Sequence, residues 1–102
     1  MRYIEINKDM VPYTFQMSFN GKVHDFEVNY NHEHDFFTLD LAIDGEVAVL
    51  GEKIVYGRPL FSAFESTITS LPYIVPYDVA KEEERVSYEN LGEKVFLFIE
   101  EV

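Results

Sequence analysis

Apolar and polar side chains alternate through residues 13–30, and the alternation is interrupted once, by Asn20-Gly21. A period of two indicates β-strands, and Asn-Gly is the preferred centre of a two-residue type I′ turn because both residues there adopt positive φ. The segment is therefore predicted to be a β-hairpin. Its register would pair Phe19 with Lys22, Met17 with His24, Phe15 with Phe26 and Tyr13 with Val28. A slip of one residue would turn the apolar face toward water.

The same alternation predicts a short strand over residues 2–6 and another over residues 37–43. A strand from residue 46 onward is expected to break at Gly51–Lys53, after which residues 54–56 are apolar enough to resume it.

The turn at Asp44-Gly45 has two alternatives. A two-residue loop would place Glu46 beside Ile43. A three-residue loop that includes Ile43 would place Gly45 at the left-handed position of a type I turn with a G1 bulge, where glycine has no steric cost. We favour the three-residue loop. It would pair Leu41 with Val47 and Leu39 with Val49.

The region after Gly57 is predicted to form a short helical turn, because Pro59 is tolerated at a first helical position. Leu60 and Phe64 would then share one face and close an end of the core. Further on, Pro72 and Pro76 lack N–H groups on the same side of a strand, so residues 71–80 are predicted to form an edge strand or a strand whose partner is irregular.

Residues 94–100 are apolar at successive positions, which is expected of a strand covered on both sides. Residues 81–85, KEEER, are predicted to be an exposed, mobile loop. The whole pattern predicts one all-β domain over residues 1–102: about seven mostly antiparallel strands with one short helical turn, as a small barrel or a two-sheet sandwich. The expected structural turn positions are Asn20, Gly21, Asp44, Gly45, Gly51, Gly57, Asn90 and Gly92.

The amino-acid composition restricts the classes of function that are expected of the chain. The 102 residues are 47% hydrophobic and 16% aromatic, contain no cysteine and carry a net charge of −11. This charge repels phosphate backbones, so nucleic-acid binding is not expected. The strand-like start MRYIEIN argues against a secretory signal, and the longest apolar run is too short to span a membrane.

Only one cluster has ligand chemistry. His32 and His34, with Glu33 and Asp35 adjacent, would point to one side of an extended segment and could hold zinc or nickel with a third ligand. Nothing in the sequence determines that ligand, and Asp25 and Glu27 are candidates only through the proximity of strands. A polar loop between strands is the favoured interpretation. His24 is assigned to packing, and no catalytic motif or cofactor site is recognised.

The tyrosines suggest an alternative to enzymatic chemistry. Tyr73, Tyr77 and Tyr88 lie near the proline-marked edge, and tyrosine is enriched at protein interfaces. They are therefore interface candidates, although they could equally complete the core.

The second half of the chain also carries a recognisable pattern. The segment DGEVAVLGEKIVYGRPL begins at Asp44, and YENLG at residues 88–92 precedes a closing apolar strand. This pattern resembles the phage baseplate plug family, small proteins encoded among the tail and baseplate genes of contractile-tailed phages and prophages. The first half is similar in layout, and the charged loop 81–85 and the two prolines depart from the pattern. The matching residues are Asp44, Gly45, Gly51, Ile54, Val55, Gly57, Leu60, Tyr88, Asn90, Leu91, Gly92, Leu97 and Phe98.

The resemblance implies a structural virion protein, made in the bacterial host cytoplasm, that occludes the tail channel at the baseplate hub. It implies other baseplate or tail hub proteins as partners, implies no substrate or cofactor, and leaves self-association open. The residues alone leave two alternatives. One is a small-molecule- or metal-binding barrel with a cavity lined by Tyr13, Phe15 and Phe26. The other is an adaptor that adds a partner strand at residues 72–77.

Overall fold

The first hairpin forms as its sequence predicts. In the computed structural model, which describes residues 2–100, Asn20 and Gly21 both have positive φ, at 51° and 78°. Strand β2 (Tyr13–Phe19) pairs with β3 (Lys22–Asn31), and all four predicted side-chain pairs are confirmed. The turn chemistry and the hydrophobic pattern specify the same register, which explains why the prediction holds.

Seven strands within residues 2–100 form two antiparallel sheets. A four-stranded sheet has the order β2-β3-β4-β5, and a three-stranded sheet has the order β1-β7-β6. Among residues 2–100 the strands do not close into a barrel, so the sandwich is the observed form of the predicted all-β fold. The remaining strands are β1 (Arg2–Ile4), β4 (Phe36–Ile43), β5 (Glu46–Lys53), β6 (Tyr73–Tyr77) and β7 (Phe96–Glu100).

One hydrophobic core lies between the sheets. The four-stranded sheet contributes Phe26, Leu39 and Leu41, each at most 1% exposed, and the three-stranded sheet contributes Ile74 and Leu97. Alternate residues of β3 and β4 face this core, as the period of two requires.

The predicted three-residue loop at Asp44 is wrong. Ile43 pairs with Glu46, and Asp44 and Gly45 alone form the turn, with φ of 50° and 85°. An aspartate tolerates this conformation here because its Oδ1 accepts a hydrogen bond from the N–H of Val23 at 2.9 Å.

Register shifts then alter the pairing that both turn alternatives implied. Leu41 pairs with Val49, and Leu39 pairs with Glu52. Gly51 lies inside β5 at φ 75°, and its N–H donates to Asp40 Oδ1 at 2.7 Å. The predicted break at Gly51 is therefore wrong: the strand continues to Lys53 with an irregularity, and residues 54–56 do not resume it.

The helical turn is shorter than predicted. A 3₁₀ turn covers Ser62–Phe64, and a second one, which the sequence did not predict, covers Lys8–Met10. Phe61 adopts a left-handed conformation, with a φ of 62°, directly before this turn. Leu60 and Phe61 are buried, whereas Phe64 remains exposed.

The predicted edge strand is confirmed in β6, but its outer edge is occupied. The carbonyl oxygens of Pro76 and Ile74 accept hydrogen bonds from the N–H groups of Gly57 and Leu60, both at 2.8 Å. Residues 57–60, which do not form a strand, thus cover the side of β6 on which Pro76 has no N–H group to donate. This arrangement excludes the proposed addition of a partner strand at residues 72–77.

Candidate interaction surfaces

The outer face of the three-stranded sheet is apolar and mainly aromatic. Along β6 and β7, every second residue faces the core, and the residues between them point outward. Cross-strand pairing places Tyr3 beside Phe98 and Phe98 beside Val75. We call this surface the aromatic face. Its members are Tyr3, Tyr73, Val75, Tyr77, Phe96 and Phe98.

Ring contacts make the aromatic face a continuous platform. The ring centroid of Tyr3 lies 4.7 Å from that of Phe96, and that of Tyr77 lies 6.3 Å from that of Phe98. Such tilted and edge-on arrangements are the favourable ones for aromatic pairs. Tyr3 and Tyr73 are 47% and 50% exposed, whereas Phe98 is buried beneath its neighbours.

Two carboxylates flank this platform. Glu5 follows Tyr3 on the outward side of the chain, and Glu100 pairs with Tyr73 across β6 and β7. Both are exposed, and neither forms an ion pair or a side-chain hydrogen bond with another residue in the 2–100 range. The carboxylates of Glu5 and Glu100 therefore border the aromatic face, and Arg2 lines the same surface depression as Glu100.

Tyr88 lies in a different cluster from Tyr73 and Tyr77. Its ring is 5.1 Å from that of Tyr30, and the Lys8 ammonium lies 5.1 Å from its centroid. Lys8 Nζ also donates to the Tyr88 carbonyl oxygen at 2.6 Å and to Glu93 Oε2 at 3.0 Å. The structure thus brings two of the three predicted interface tyrosines together and gives Tyr88 intramolecular contacts.

Asp35 joins distant parts of the chain and was not identified from the sequence. Its Oδ1 accepts hydrogen bonds from the N–H of Tyr88 and the hydroxyl of Tyr30, both at 2.8 Å, and Oδ2 accepts one from Arg85 at 3.2 Å. The Tyr88 N–H, with the Tyr30 hydroxyl and the Arg85 guanidinium, lowers the pKa of Asp35. Burial and the bond to Asp35 raise the pKa of Tyr30.

Asp78 organises the acidic loop that follows β6. Its buried carboxylate accepts hydrogen bonds from the N–H groups of Ala80, Glu82 and Glu83, each at 3.0 Å. Burial alone would raise the pKa of Asp78, but these three donors outweigh it and the pKa is lowered. Loop residues 81–85 are mostly exposed, as predicted, and their backbone is anchored at this carboxylate.

The turn at residues 88–92 is held by a reciprocal pair. Asn90 Oδ1 accepts from the N–H of Ser87 at 2.8 Å, and Ser87 Oγ accepts from the N–H of Asn90 at 3.2 Å. Asn90 Nδ2 also donates to the Arg85 carbonyl oxygen at 2.8 Å. The motif asparagine is thus a structural residue, and the adjacent Leu91 is fully buried.

The buried His24 has a partner that no sequence motif indicated. Its Nδ1 lies 3.1 Å from the Lys22 carbonyl oxygen and its Nε2 lies 2.7 Å from Ser70 Oγ. A carbonyl oxygen only accepts, so Nδ1 carries the proton and Nε2 accepts from the serine hydroxyl. Among the described residues no carboxylate bonds to this histidine, and Ser70 is buried, which supports the packing role rather than nucleophile activation.

His32 and His34 are both exposed, and the His34 ring lies 6.5 Å from that of Phe36. Within residues 2–100, no group of three or more His, Asp or Glu side chains is placed to hold a metal ion. Asp25 and Glu27 lie on β3, across from Gln16 and Thr14 of β2. The same residues contain no helix long and apolar enough to span a membrane.

Comparison with known families identifies the chain. A family model described as "Cyanophage baseplate Pam3 plug gp18" matches residues 1–102, the whole chain. The chain belongs to the cyanophage baseplate plug family. A comparison with curated proteins gave no match.

Membership of the baseplate plug family confirms the resemblance seen in the sequence and extends it to the first half of the chain. The protein is a structural component of a phage baseplate, a virion tail protein that associates with other baseplate proteins.

Proposed function

We propose that this protein closes the tail channel at the baseplate hub until the genome is released. The observation that carries the proposal is the match of the plug family to the full length of the chain. A closure needs a shape that persists without a ligand, and the two sheets enclose a core filled by large side chains such as Phe26, Phe37 and Leu97.

The charge of the chain supports the same role. A net charge of −11 repels the phosphate backbone of DNA at long range, so a closure of this kind would not retain the passing genome. The acidic loop at residues 81–85 adds to this repulsion. The Asp78 carboxylate anchors it by accepting hydrogen bonds from the backbone N–H groups of Glu82 and Glu83.

The proposal is tested with phage particles from which the gene has been deleted. We expect such particles to lose DNA spontaneously, measured as nuclease-sensitive or dye-accessible DNA, and to lack density at the hub in electron micrographs. Expression of the protein in trans should restore both properties. Deleted particles that keep their DNA and retain a closed channel would contradict the proposal.

A ligand-binding barrel is not supported by the geometry. The sheets form a sandwich, and the space expected to be a cavity is filled, because Phe26 is 1% exposed and its ring is stacked 5.1 Å from that of Phe15.

Strand addition at another edge is a second candidate role. Strand β2 lies at the edge of the four-stranded sheet and carries no charged residue or proline, the usual protections of such an edge. In a two-residue hairpin, Phe19 and Lys22 bond to each other, so the backbone groups of Gln16 point outward. If β2 receives a partner strand in the baseplate, Gln16→Pro should abolish incorporation into tails while leaving the fold intact.

A further inference from the structure

The aromatic face is unusual because the outer side of a sandwich sheet is normally polar. The four-stranded sheet of this protein follows the rule: outward positions on β2 and β3 include Thr14, Gln16, Ser18, Asp25 and Glu27. The three-stranded sheet breaks it with five aromatic side chains and one valine. Contiguous exposed apolar patches of this kind mark interaction sites on soluble proteins.

Strand β7 shows the same contrast within one element. Leu97 and Ile99 face the core, while Phe96 and Phe98 face outward, so the strand is apolar on both sides. Only the inner side is packed against the opposite sheet by the described residues. The composition of β7 therefore indicates a covering surface that these residues do not provide.

The charges around the aromatic face indicate what kind of surface covers it. The carboxylates of Glu5 and Glu100 border the aromatic face, and the whole chain carries −11. A second copy would place the same carboxylates and the same net charge against this face, and like charges in contact are unfavourable. A surface that carries lysine or arginine beside an apolar centre is complementary in both respects.

We propose that the aromatic face docks another baseplate protein through an apolar patch flanked by lysine or arginine side chains. The proposal rests on the proposed place of the protein at the baseplate hub. Tyr3 and Tyr73 are the exposed anchors, because tyrosine contributes a large contact area with few rotatable bonds. Glu5 and Glu100 steer the encounter and set its salt dependence.

The test uses tails purified from a phage that lacks the gene, to which purified protein is added and then measured by co-sedimentation. We expect the double variant Tyr3→Ser/Tyr73→Ser to reduce the bound amount roughly tenfold or more. The matched control is Val47→Ser/Leu50→Ser. It removes two apolar side chains of the other sheet that are 70% and 71% exposed, and should bind within about twofold of the wild type.

The charged border is tested in the same assay. Glu5→Lys/Glu100→Lys should weaken binding, whereas Glu46→Lys, an equally unpaired exposed glutamate on β5, should not. Wild-type binding should also fall as salt rises from about 50 to about 500 mM, because screening shortens the reach of the charges. Melting curves confirm that each variant is folded.

The outcomes separate this proposal from the plug function. Tails that bind wild-type and Tyr3→Ser/Tyr73→Ser protein equally would overturn the docking face and leave the plug function standing. Tails that bind through the aromatic face but still leak DNA would overturn the plug function alone, and an absence of wild-type binding would overturn both. A dimer in light scattering that Tyr3→Ser/Tyr73→Ser dissociates would assign the face to a second copy and refute the basic partner.

Discussion

Gly92 packs so closely against Ile6 that a Cβ atom added to the glycine would lie 2.8 Å from the Ile6 carbonyl oxygen. Gly92 also has a φ of 84°, a backbone conformation that is strained for a residue with a side chain. The family motif at residues 88–92 therefore ends in glycine for two independent reasons. One is the turn itself, and the other is the contact with the segment that follows β1.

Gly92→Ala is expected to destabilise the protein by at least about 3 kcal/mol, since it adds a backbone clash to the cost of positive φ. The control is Gly57→Ala, which has a φ of 73° but no atom within 4 Å of the added Cβ. It should cost only about 1–2 kcal/mol. Urea unfolding of both variants measures the difference, and equal losses would contradict the contact with Ile6.

Ser70→Ala is expected to cost about 1–3 kcal/mol, because it leaves the Nε2 atom of buried His24 without its donor. Ser66→Ala, at an exposed position of the same connection, should change the free energy of unfolding by less than about 0.5 kcal/mol. If Ser70→Ala unfolds at the wild-type urea concentration, the hydrogen bond contributes nothing to stability.

Stability should decline in acid partly through Asp35. Its pKa is lowered in the folded state, so its contribution is complete above the unfolded value of about 3.9 and is lost as the pH falls through the folded value. Asp35→Asn should therefore be less stable than the wild type at pH 7, and the difference should shrink below about pH 4. Unfolding free energies measured between neutral and acid pH provide the check. A difference that stays constant would show that Asp35 does not contribute through its charge.

Zinc is expected to leave the melting temperature unchanged. His32 and His34 are exposed, and residues 2–100 supply no third ligand near them, so binding that favours the folded state is not anticipated. Melting curves with zinc chloride, and with nickel chloride, test this against the variant His32→Ala/His34→Ala. A metal-dependent rise that the double variant abolishes would establish a site.

The elements that sequence reasoning predicted correctly are those specified by neighbouring residues. Asn20-Gly21 determines a turn and a register from two positions, and Pro76 marks an edge because its missing N–H is a property of the residue itself. The two prolines did not reveal what covers that edge. The hydrogen bonds from Gly57 and Leu60 to Pro76 and Ile74 are nonlocal contacts that no local pattern signals.

The mistaken turn at Asp44 was a choice between two turns that local preferences both allow, since Asp-Gly is also a preferred pair for the two-residue type I′ turn. The contact that supports the observed turn is nonlocal, because the Asp44 side chain bonds to Val23, 21 positions away. The structural roles of Asp35 and Ser70 likewise depend on partners far along the chain, so no local pattern signals them. Apolar residues on both sides of β7 were visible in the sequence, whereas the uncovered side became apparent only in the assembled sheet.

The order of the three-stranded sheet has a consequence for synthesis. Among the strands described in residues 2–100, the middle strand of this sheet, β7, is synthesised last, and β1 and β6 pair with it rather than with each other. A nascent chain that lacks residues 96–100 has no strand to pair with both β1 and β6. Tyr3 and Tyr73 therefore stay apart until residues 96–100 have been translated. Unfinished chains would then be unable to compete for places in a growing tail.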